Sequence, residues 1–448
     1  MSTSGTKSLF IHSTPDRIHI RGDLEQDLRL LADVPWRSLP ARPTARGMDL
    51  LNIAAGVYAA DRAVKRKACA GNDIGIRSFR LCFAVQDFAF WQRAEVTDAI
   101  EELLSFLTDE NWLVSFEQAN ALPAFPQIPL AFPLTQRPQR IALYSGGLDS
   151  AAGLANRLMA GFHDYLLVTV GHQSKIRARC AQQINRLSDL TNTLPQLHAT
   201  LIAHLIGGSE KKRMRQQEGS QRSRAFLFCA AAAVAAQSCE IEEIEMFENG
   251  VGAINLPLMP GMLIGGLATR GAHPTFLKLM GRLATAVAEH PIRYSLPFAT
   301  WTKSEMLVQL KQHGLESWAQ LSESCVHTSL RDSKAKHCGQ CPACIERRQA
   351  FAAAKIAEKI SDQYKVDLIA GQSIAPNKAD YLGCYLDDAA AWLSGDAAVR
   401  RRLHWHLSGT HVPPDQHAPI AALQYRHAKE VVSTLGHLSA ERFEKAPA

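Results

Sequence analysis

Short apolar runs separated by helical stretches fill the middle of the chain. The runs are "IALY" at 141, "YLLVTV" at 165, "HATLIAHL" at 198, "IEEIEMF" at 241 and "IRYSLPF" at 292. Each has strand length, and strands that alternate with helices favour right-handed crossovers. The pattern predicts an α/β fold built on a doubly wound parallel sheet. Ligands of such sheets bind at the carboxyl ends of the strands.

A different pattern precedes it. Phe79, Leu81, Phe83 and Val85 occupy alternate positions on one face, as do Trp112, Val114 and Phe116, and both stretches read as half-buried strands. Between them Ile100, Leu103, Leu104 and Leu107 have helical spacing. Pro123, Pro126, Pro129, Pro133 and Pro138 then exclude a helix or a central strand and predict an extended connector. Residues 1–138 are therefore expected to form an N-terminal α+β domain, and the segment after about 365 a His-rich helical C-terminal tail.

Composition limits the class of protein. The chain has 448 residues, enough for two or three domains, and 46% of them are hydrophobic against 21% charged, as in soluble globular proteins. It has no apolar run near the roughly 18 residues of a membrane span. "MSTSGTKSLF" lacks the basic and apolar regions of an export signal, so a cytoplasmic location is expected. A formal charge of +6 is mild at this length and does not by itself indicate nucleic-acid binding.

The chemistry begins where the first run ends. "SGGLDS", Ser145 to Ser150, lies between "RIALY" and a helix whose buried stripe is Ala151, Leu154, Ala155 and Leu158. Ser145, Gly146 and Gly147 lack bulk, so backbone N–H groups can approach an anion, and the helix adds the positive end of its dipole. The predicted element is a phosphate cradle, though no Gly-Lys-Ser/Thr follows it as in the P-loop. Asp149 is placed to serve Mg²⁺, as a helix N-cap, or both.

Ten cysteines occur. Cys69, Cys82, Cys180, Cys229, Cys239 and Cys384 are scattered and read as small core residues. Cys325, Cys338, Cys341 and Cys344 form a C-x12-C-x2-C-x2-C pattern that can enclose one tetrahedral, structural Zn²⁺.

Ser-Gly-Gly-x-Asp-Ser between a strand and a helix resembles the signature of the ATP pyrophosphatase, or PP-loop, superfamily. With the cysteine cluster and "ERR" after it, residues 139 to 360 resemble the QueC family of 7-cyano-7-deazaguanine synthases. The resemblance implies cleavage of ATP between its α and β phosphates, an adenylated carboxylate, and Mg²⁺ and Zn²⁺ as metals. It implies nucleotide contacts at Ser145, Gly146, Gly147, Leu148, Asp149, Ser150, Gln173 of "VGHQSKIR" and Gly250. Lys303 of "LPFATWTKSEM", Arg222 and Arg224 of "RSRAFLF", and Asp149 would then serve the chemistry. The two arginines read equally well as a solvated face. His404 and His406 of "HWH" read as solvated or core histidines. The expected divisions are 1–138, a PP-loop ATP-binding domain over 139–318, a four-cysteine zinc segment over 319–362 and the tail over 363–448.

One departure from the family concerns the substrate. The family holds its base with an acidic stretch, whereas residues 249–288 contain no Asp or Glu. With the added N-terminal and C-terminal segments, the chain resembles QatC, the QueC-like member of a bacterial anti-phage system. That resemblance implies a deazaguanine-type carboxylate activated by ATP and passed to an amine, with the amino terminus of a partner protein as a candidate acceptor. Housekeeping synthesis of 7-cyano-7-deazaguanine and a non-catalytic ATP-binding scaffold are the alternatives.

Overall fold

A computed structural model describes residues 6–14, 17–33, 41–66, 76–119, 138–171, 175–207, 212–213, 217–258, 269–326, 336–358, 363–367 and 381–438. Its strands are β1 (Lys7–Thr14), β2 (Arg17–Gly22), β3 (Gln26–Asp33), β4 (Ser78–Val85), β5 (Asn111–Gln118), β6 (Arg140–Leu143), β7 (Tyr165–Gly171), β8 (Leu197–Gly207), β9 (Lys212–Arg213), β10 (Glu243–Met246) and β11 (Arg293–Ser295). The five runs at 141, 165, 198, 241 and 292 are the parallel strands β6, β7, β8, β10 and β11. The α/β architecture with parallel strands fits a fold of PP-loop type.

All strands belong to one sheet, ordered β11-β10-β6-β7-β8-β3-β2-β1-β4-β5, with β9 paired to β8. From β6 the chain steps outward through β7 and β8, then returns to the other side of β6 for β10 and β11. The direction of winding thus reverses between β6 and β10, the switch point at whose carboxyl ends sheets of this kind bind ligands. The Ser145–Ser150 loop follows β6 at that point.

Antiparallel pairing of β3 with β8 joins the two halves, with Asp27 opposite Ile206 and Asp33 opposite Thr200. The sheet therefore runs without a break past the position where the sequence places the first domain boundary. Because β4 and β5 run opposite to β6–β8, their amino ends share an edge with the Ser145–Ser150 loop. Most of the connector, residues 120–137, lies outside the described residues.

The helices Ala45–Ala63, Ala94–Thr108, Arg224–Cys239 and Pro274–Ala288 contribute to one core with the sheet. Alanine fills most of the buried face of Arg224–Cys239, and its small side chains let that helix pack closely on Ala45–Ala63. A second core holds Leu148–Met159, Lys175–Thr191, Lys303–Gln312 and Pro342–Ala353. There Trp318, fully buried, donates from Nε1 to the Ala151 carbonyl at 3.3 Å. Truncating such a side chain costs about 3–5 kcal/mol, so Trp318 anchors the helix that follows the loop.

Three helices, Tyr381–Ser394, Ala397–Gly409 and Pro414–Leu435, form a third core with Ile254, Leu256 and Ile345. Among the scattered cysteines Cys180 and Cys229 are buried and Cys82, Cys239 and Cys384 partly so; Cys69 lies outside the described residues. Among the described residues no helix is long and apolar enough to cross a membrane.

Candidate active site

The loop after β6 is shaped by packing beneath it. Gly146 has φ of +72°, the left-handed region, and a Cβ there would lie 3.0 Å from both Cys180 Sγ and Gln183 Oε1. Glycine is needed on both counts. Gln183 donates from Nε2 to the carbonyls of Gly146 at 3.2 Å and Leu321 at 2.9 Å, while Tyr144 donates its hydroxyl to Gln183 Oε1 at 2.8 Å. Ser145 Oγ accepts from the Gly147 N–H at 3.2 Å, and Ser150 Oγ donates to the Gly147 carbonyl at 3.0 Å. Gly147 gives the helix Leu148–Met159 no side-chain cap. The positive end of that helix thus lies at the switch point, with the Leu148 N–H 3.4 Å from Ser324 Oγ, a placement compatible with a phosphate cradle.

Three more segments converge on Asp149. The helix Lys303–Gln312 starts in a capping box: Thr302 Oγ1 accepts from the Glu305 N–H at 3.1 Å, and Glu305 Oε2 accepts from the Thr302 N–H at 2.8 Å. This fixes Lys303 in the first turn, with Nζ 3.1 Å from Asp149 Oδ2 and 2.9 Å from Glu346 Oε2. Just beyond β10, Asn249 donates from Nδ2 to Asp149 Oδ1 at 2.7 Å and to Glu248 Oε1 at 3.2 Å. The cluster therefore holds three carboxyl groups around one ammonium.

Its charges are set by that arrangement. Burial alone would lower the Lys303 pKa, but Asp149, Glu346 and Glu248 together raise it, so the ammonium is permanent at neutral pH. For Glu248, desolvation first and the Asp149 charge second push the carboxyl well above its usual range, although part of its surface meets solvent. Burial would also raise Glu346, yet the Lys303 charge holds it below its ordinary value.

Gly250 plays a packing role. Its N–H donates to the Trp301 carbonyl at 2.9 Å, and a Cβ would fall 1.9 Å from the Ala299 oxygen. The helix Pro414–Leu435 crosses this region. Glu430 Oε1 accepts from Thr302 Oγ1 at 2.7 Å, and Arg426 donates to the Thr300 carbonyl at 2.7 Å and to Glu305 Oε1 at 2.9 Å.

The structure thus brings together Ser145–Ser150, Asp149 and Lys303. Arg222 is directed elsewhere: it is buried, donates to the Thr108 carbonyl at 2.8 Å and lies 3.6 Å from Asp109 Oδ2. Arg224 sits exposed in the first turn of Arg224–Cys239, over the Phe228 ring. Gln173 lies outside the described residues. His406 is half-buried, 3.2 Å from the Ile254 carbonyl, and His404 is exposed. Glu248, Asn249 and Glu346 are not singled out by the sequence. Glu248 immediately precedes the stretch without acids and follows a strand, and Glu346 belongs to "ERR"; position at a strand end is the available signal for the first.

Cys325, Cys338, Cys341 and Cys344 are all buried, and their sulfurs lie within 4.8 Å of one another. A tetrahedral ion with Zn–S bonds of about 2.3 Å needs sulfurs roughly 3.8 Å apart, and Cys338 Sγ and Cys344 Sγ are 4.0 Å apart. All four are free of disulfides. Gly339, at φ +82°, turns the chain between two ligands where a side chain would strike Val366. Four thiol donors leave no position for water, so the cluster fits a structural zinc.

Residues 270–355, which contain Lys303, Glu346 and the four cysteines, match the family model described as QueC, queuosine biosynthesis protein QueC. The chain is similar to the 7-cyano-7-deazaguanine synthase of Methylobacillus flagellatus, 27% identical over 227 residues that cover 49% of this chain and 93% of the relative. It is also similar to the enzyme of the same name from Rhodopirellula baltica, 34% identical over 84 residues, 18% of this chain and 32% of the relative. These matches, and a carboxylate–lysine cluster that lies partly inside the matched segment, support a QueC-like family for this chain.

Proposed function

We propose that the chain is an ATP-dependent C–N ligase that adenylates a deazaguanine-type carboxylate and transfers it to an amine. The observation that carries this reading is the Asp149–Lys303 pair beside an uncapped helix start at the switch point of the sheet. The Gly147 N–H, held by Ser145 Oγ at 3.2 Å, and the Leu148 N–H, 3.4 Å from Ser324 Oγ, would exchange these hydroxyls for phosphate oxygens, with the Lys303 ammonium beside the loop. When a carboxylate oxygen bonds to the α-phosphorus, the bond to the bridging oxygen breaks and its electrons leave with pyrophosphate. Lys303 then opposes growing negative charge; one such donor is worth about 2.7–4 kcal/mol of barrier. The amine next bonds to the acyl carbon, AMP departs with the acyl–oxygen electrons, and the amine loses a proton. Mg²⁺ accompanying ATP would take oxygen ligands, and Asp149 is the loop carboxylate able to supply one. The cysteine cluster would hold zinc for folding.

On the resemblance to QatC, we place this activity in anti-phage defence, with the amino terminus of a partner protein as acceptor. The stretch 249–288 without acids supports a substrate site unlike that of the housekeeping enzymes. A second reading, synthesis of 7-cyano-7-deazaguanine with ammonia as acceptor, is favoured by the match that spans 93% of a named synthase. Pyrophosphate release from ATP, Mg²⁺ and candidate deazaguanine carboxylates tests the shared step. Intact-mass analysis of co-expressed neighbouring proteins separates the two: an acyl adduct that disappears with Asp149→Asn supports protein transfer, and unmodified partners beside a nitrile product support the synthase.

A further inference from the structure

Residues 321–324 lie against the Ser145–Ser150 loop and run directly into Cys325 of the cysteine cluster. This short segment is itself firmly held. Arg347, fully buried, donates from Nη1 to the Ser322 carbonyl at 3.1 Å and to Ser322 Oγ at 2.6 Å, and from Nε to Glu358 Oε1 at 2.9 Å. Gln183 Nε2 adds its bond to the Leu321 carbonyl. A guanidinium engaged on both edges fixes what it touches.

From that base the segment reaches the loop by two routes. The Glu323 N–H donates to the Gly146 carbonyl at 3.0 Å. The Glu323 side chain works through a second residue: Oε2 accepts from Arg179 Nη1 at 2.5 Å, and Arg179 Nη2 donates to the Ser145 carbonyl at 3.4 Å. Arg179 comes from the helix Lys175–Thr191, and its Nε lies 3.4 Å from the place a Cβ on Gly146 would take. Two carbonyls in succession are therefore held from one side of the loop.

A trans peptide is planar, so its C=O and the N–H that follows point in opposite directions. Drawing the Ser145 carbonyl toward Arg179, and the Gly146 carbonyl toward Gln183 and Glu323, turns the N–H groups of Gly146 and Gly147 to the other side. Donors oriented in advance need no rearrangement when an anion arrives. Arg179 and Glu323 can do this without touching the anion.

We propose that Arg179 and Glu323 are positioning residues for the reaction, a clamp that presets the loop N–H groups for the phosphate oxygens of the nucleotide. The proposal rests on the reading of the loop as a phosphate cradle. Both side chains meet solvent, at 22% and 17% exposed, so their replacement leaves the core closed.

Two measurements on the full chain test it. In hydrogen-exchange mass spectrometry without ligand, peptides covering 145–150 exchange faster in Arg179→Met and in Glu323→Ala, while those of β7 and of Lys303–Gln312 keep the parent's rates. In calorimetric titration with inorganic pyrophosphate and Mg²⁺, each variant binds about tenfold more weakly, the worth of one hydrogen bond from a charged donor. The double variant binds no more weakly than either single one, because the pair acts as a unit. Glu323→Gln, which can still accept from Arg179, restores most of the affinity. Unchanged loop exchange in either single variant, or losses that add in the double variant, overturns the proposal. Tighter binding by Glu323→Ala also overturns it, since Arg179 would then be a direct phosphate ligand. Faster loop exchange in both variants of a chain whose parent does not bind pyrophosphate upholds the clamp and refutes the proposed function instead. Should Arg179→Met not fold, Glu323→Ala and Glu323→Gln decide.

Discussion

Replacing Lys303 by methionine keeps most of the side chain and removes the only cation of the Asp149–Glu248–Glu346 cluster among the contacts described. At an effective dielectric constant of 20, Coulomb's law gives gross attractions of about 5 kcal/mol to Asp149 and about 6 kcal/mol to Glu346 at the observed 3.1 and 2.9 Å. Desolvation of the three groups offsets much of this. Breaking a buried pair from one side costs about 3–5 kcal/mol, and because the Glu346 side chain is 39% exposed, about 3 kcal/mol is expected. The loss depends on pH. Without the ammonium, the carboxyls gain protons more readily in the folded than in the unfolded protein. A carboxyl with a raised folded pKa stabilises the fold below its unfolded value and loses that contribution as pH rises. The penalty is therefore larger at pH 8 than at pH 5. Urea unfolding followed by tryptophan fluorescence at both pH values measures it, and pyrophosphate release measures the loss of chemistry. A destabilisation below about 1 kcal/mol that is the same at both pH values, with pyrophosphate release intact, would refute the assigned geometry.

Glu248→Gln should flatten the fall in stability as pH rises above the ordinary carboxylate range, because a raised carboxyl loses its stabilising contribution over that rise; an unaltered profile counts against a raised Glu248. Elemental analysis should find one zinc per chain, and Cys341→Ser should lower the unfolding midpoint and the zinc content together. Glu430→Ala should cost about 1.5–3 kcal/mol, the value of a hydrogen bond to a charged group, and should slow pyrophosphate release, while Glu430→Gln, which keeps an acceptor for Thr302, restores most of both. Gly250→Ala should sharply reduce soluble yield, since its Cβ has no space beside the Ala299 oxygen.

What the sequence discloses follows the range of the interactions involved. Among the parallel strands β6 and β7 were legible because they are buried apolar runs, while β10 and β11 are short and mixed and stood out through the apolar residues around them; Asp149 and Lys303 were legible because they sit in recognisable local motifs. β1 and β2 carry a similar but shorter signal, with Leu9 and Ile11 and then Ile18 and Ile20 facing the core. The pairing of β3 with β8 was not legible, since it joins residues far apart in the chain through backbone hydrogen bonds that any side chain permits. Glu248 and Glu346 were equally opaque. A single acid in a surface pattern looks solvated until folding sets it beside a lysine from another strand end. Arg222 shows the reverse: its position at a helix start suggested phosphate, and the fold directs it to the carbonyl end of Ala94–Thr108.

The grip of Glu430 on Thr302 has a bearing on when the start of the lysine helix is held in place. The Ser145–Ser150 loop and Lys303 leave the ribosome long before Pro414–Leu435, the helix that braces the turn ahead of Lys303 and lies against Gly250. A nascent chain can already shape the loop while the start of the lysine helix is still without this brace. The turn ahead of Lys303 is therefore braced only once Pro414–Leu435 has been made, and cleavage between Ala397–Gly409 and Pro414–Leu435 would remove the brace while leaving every group of the loop and the lysine cluster in the chain.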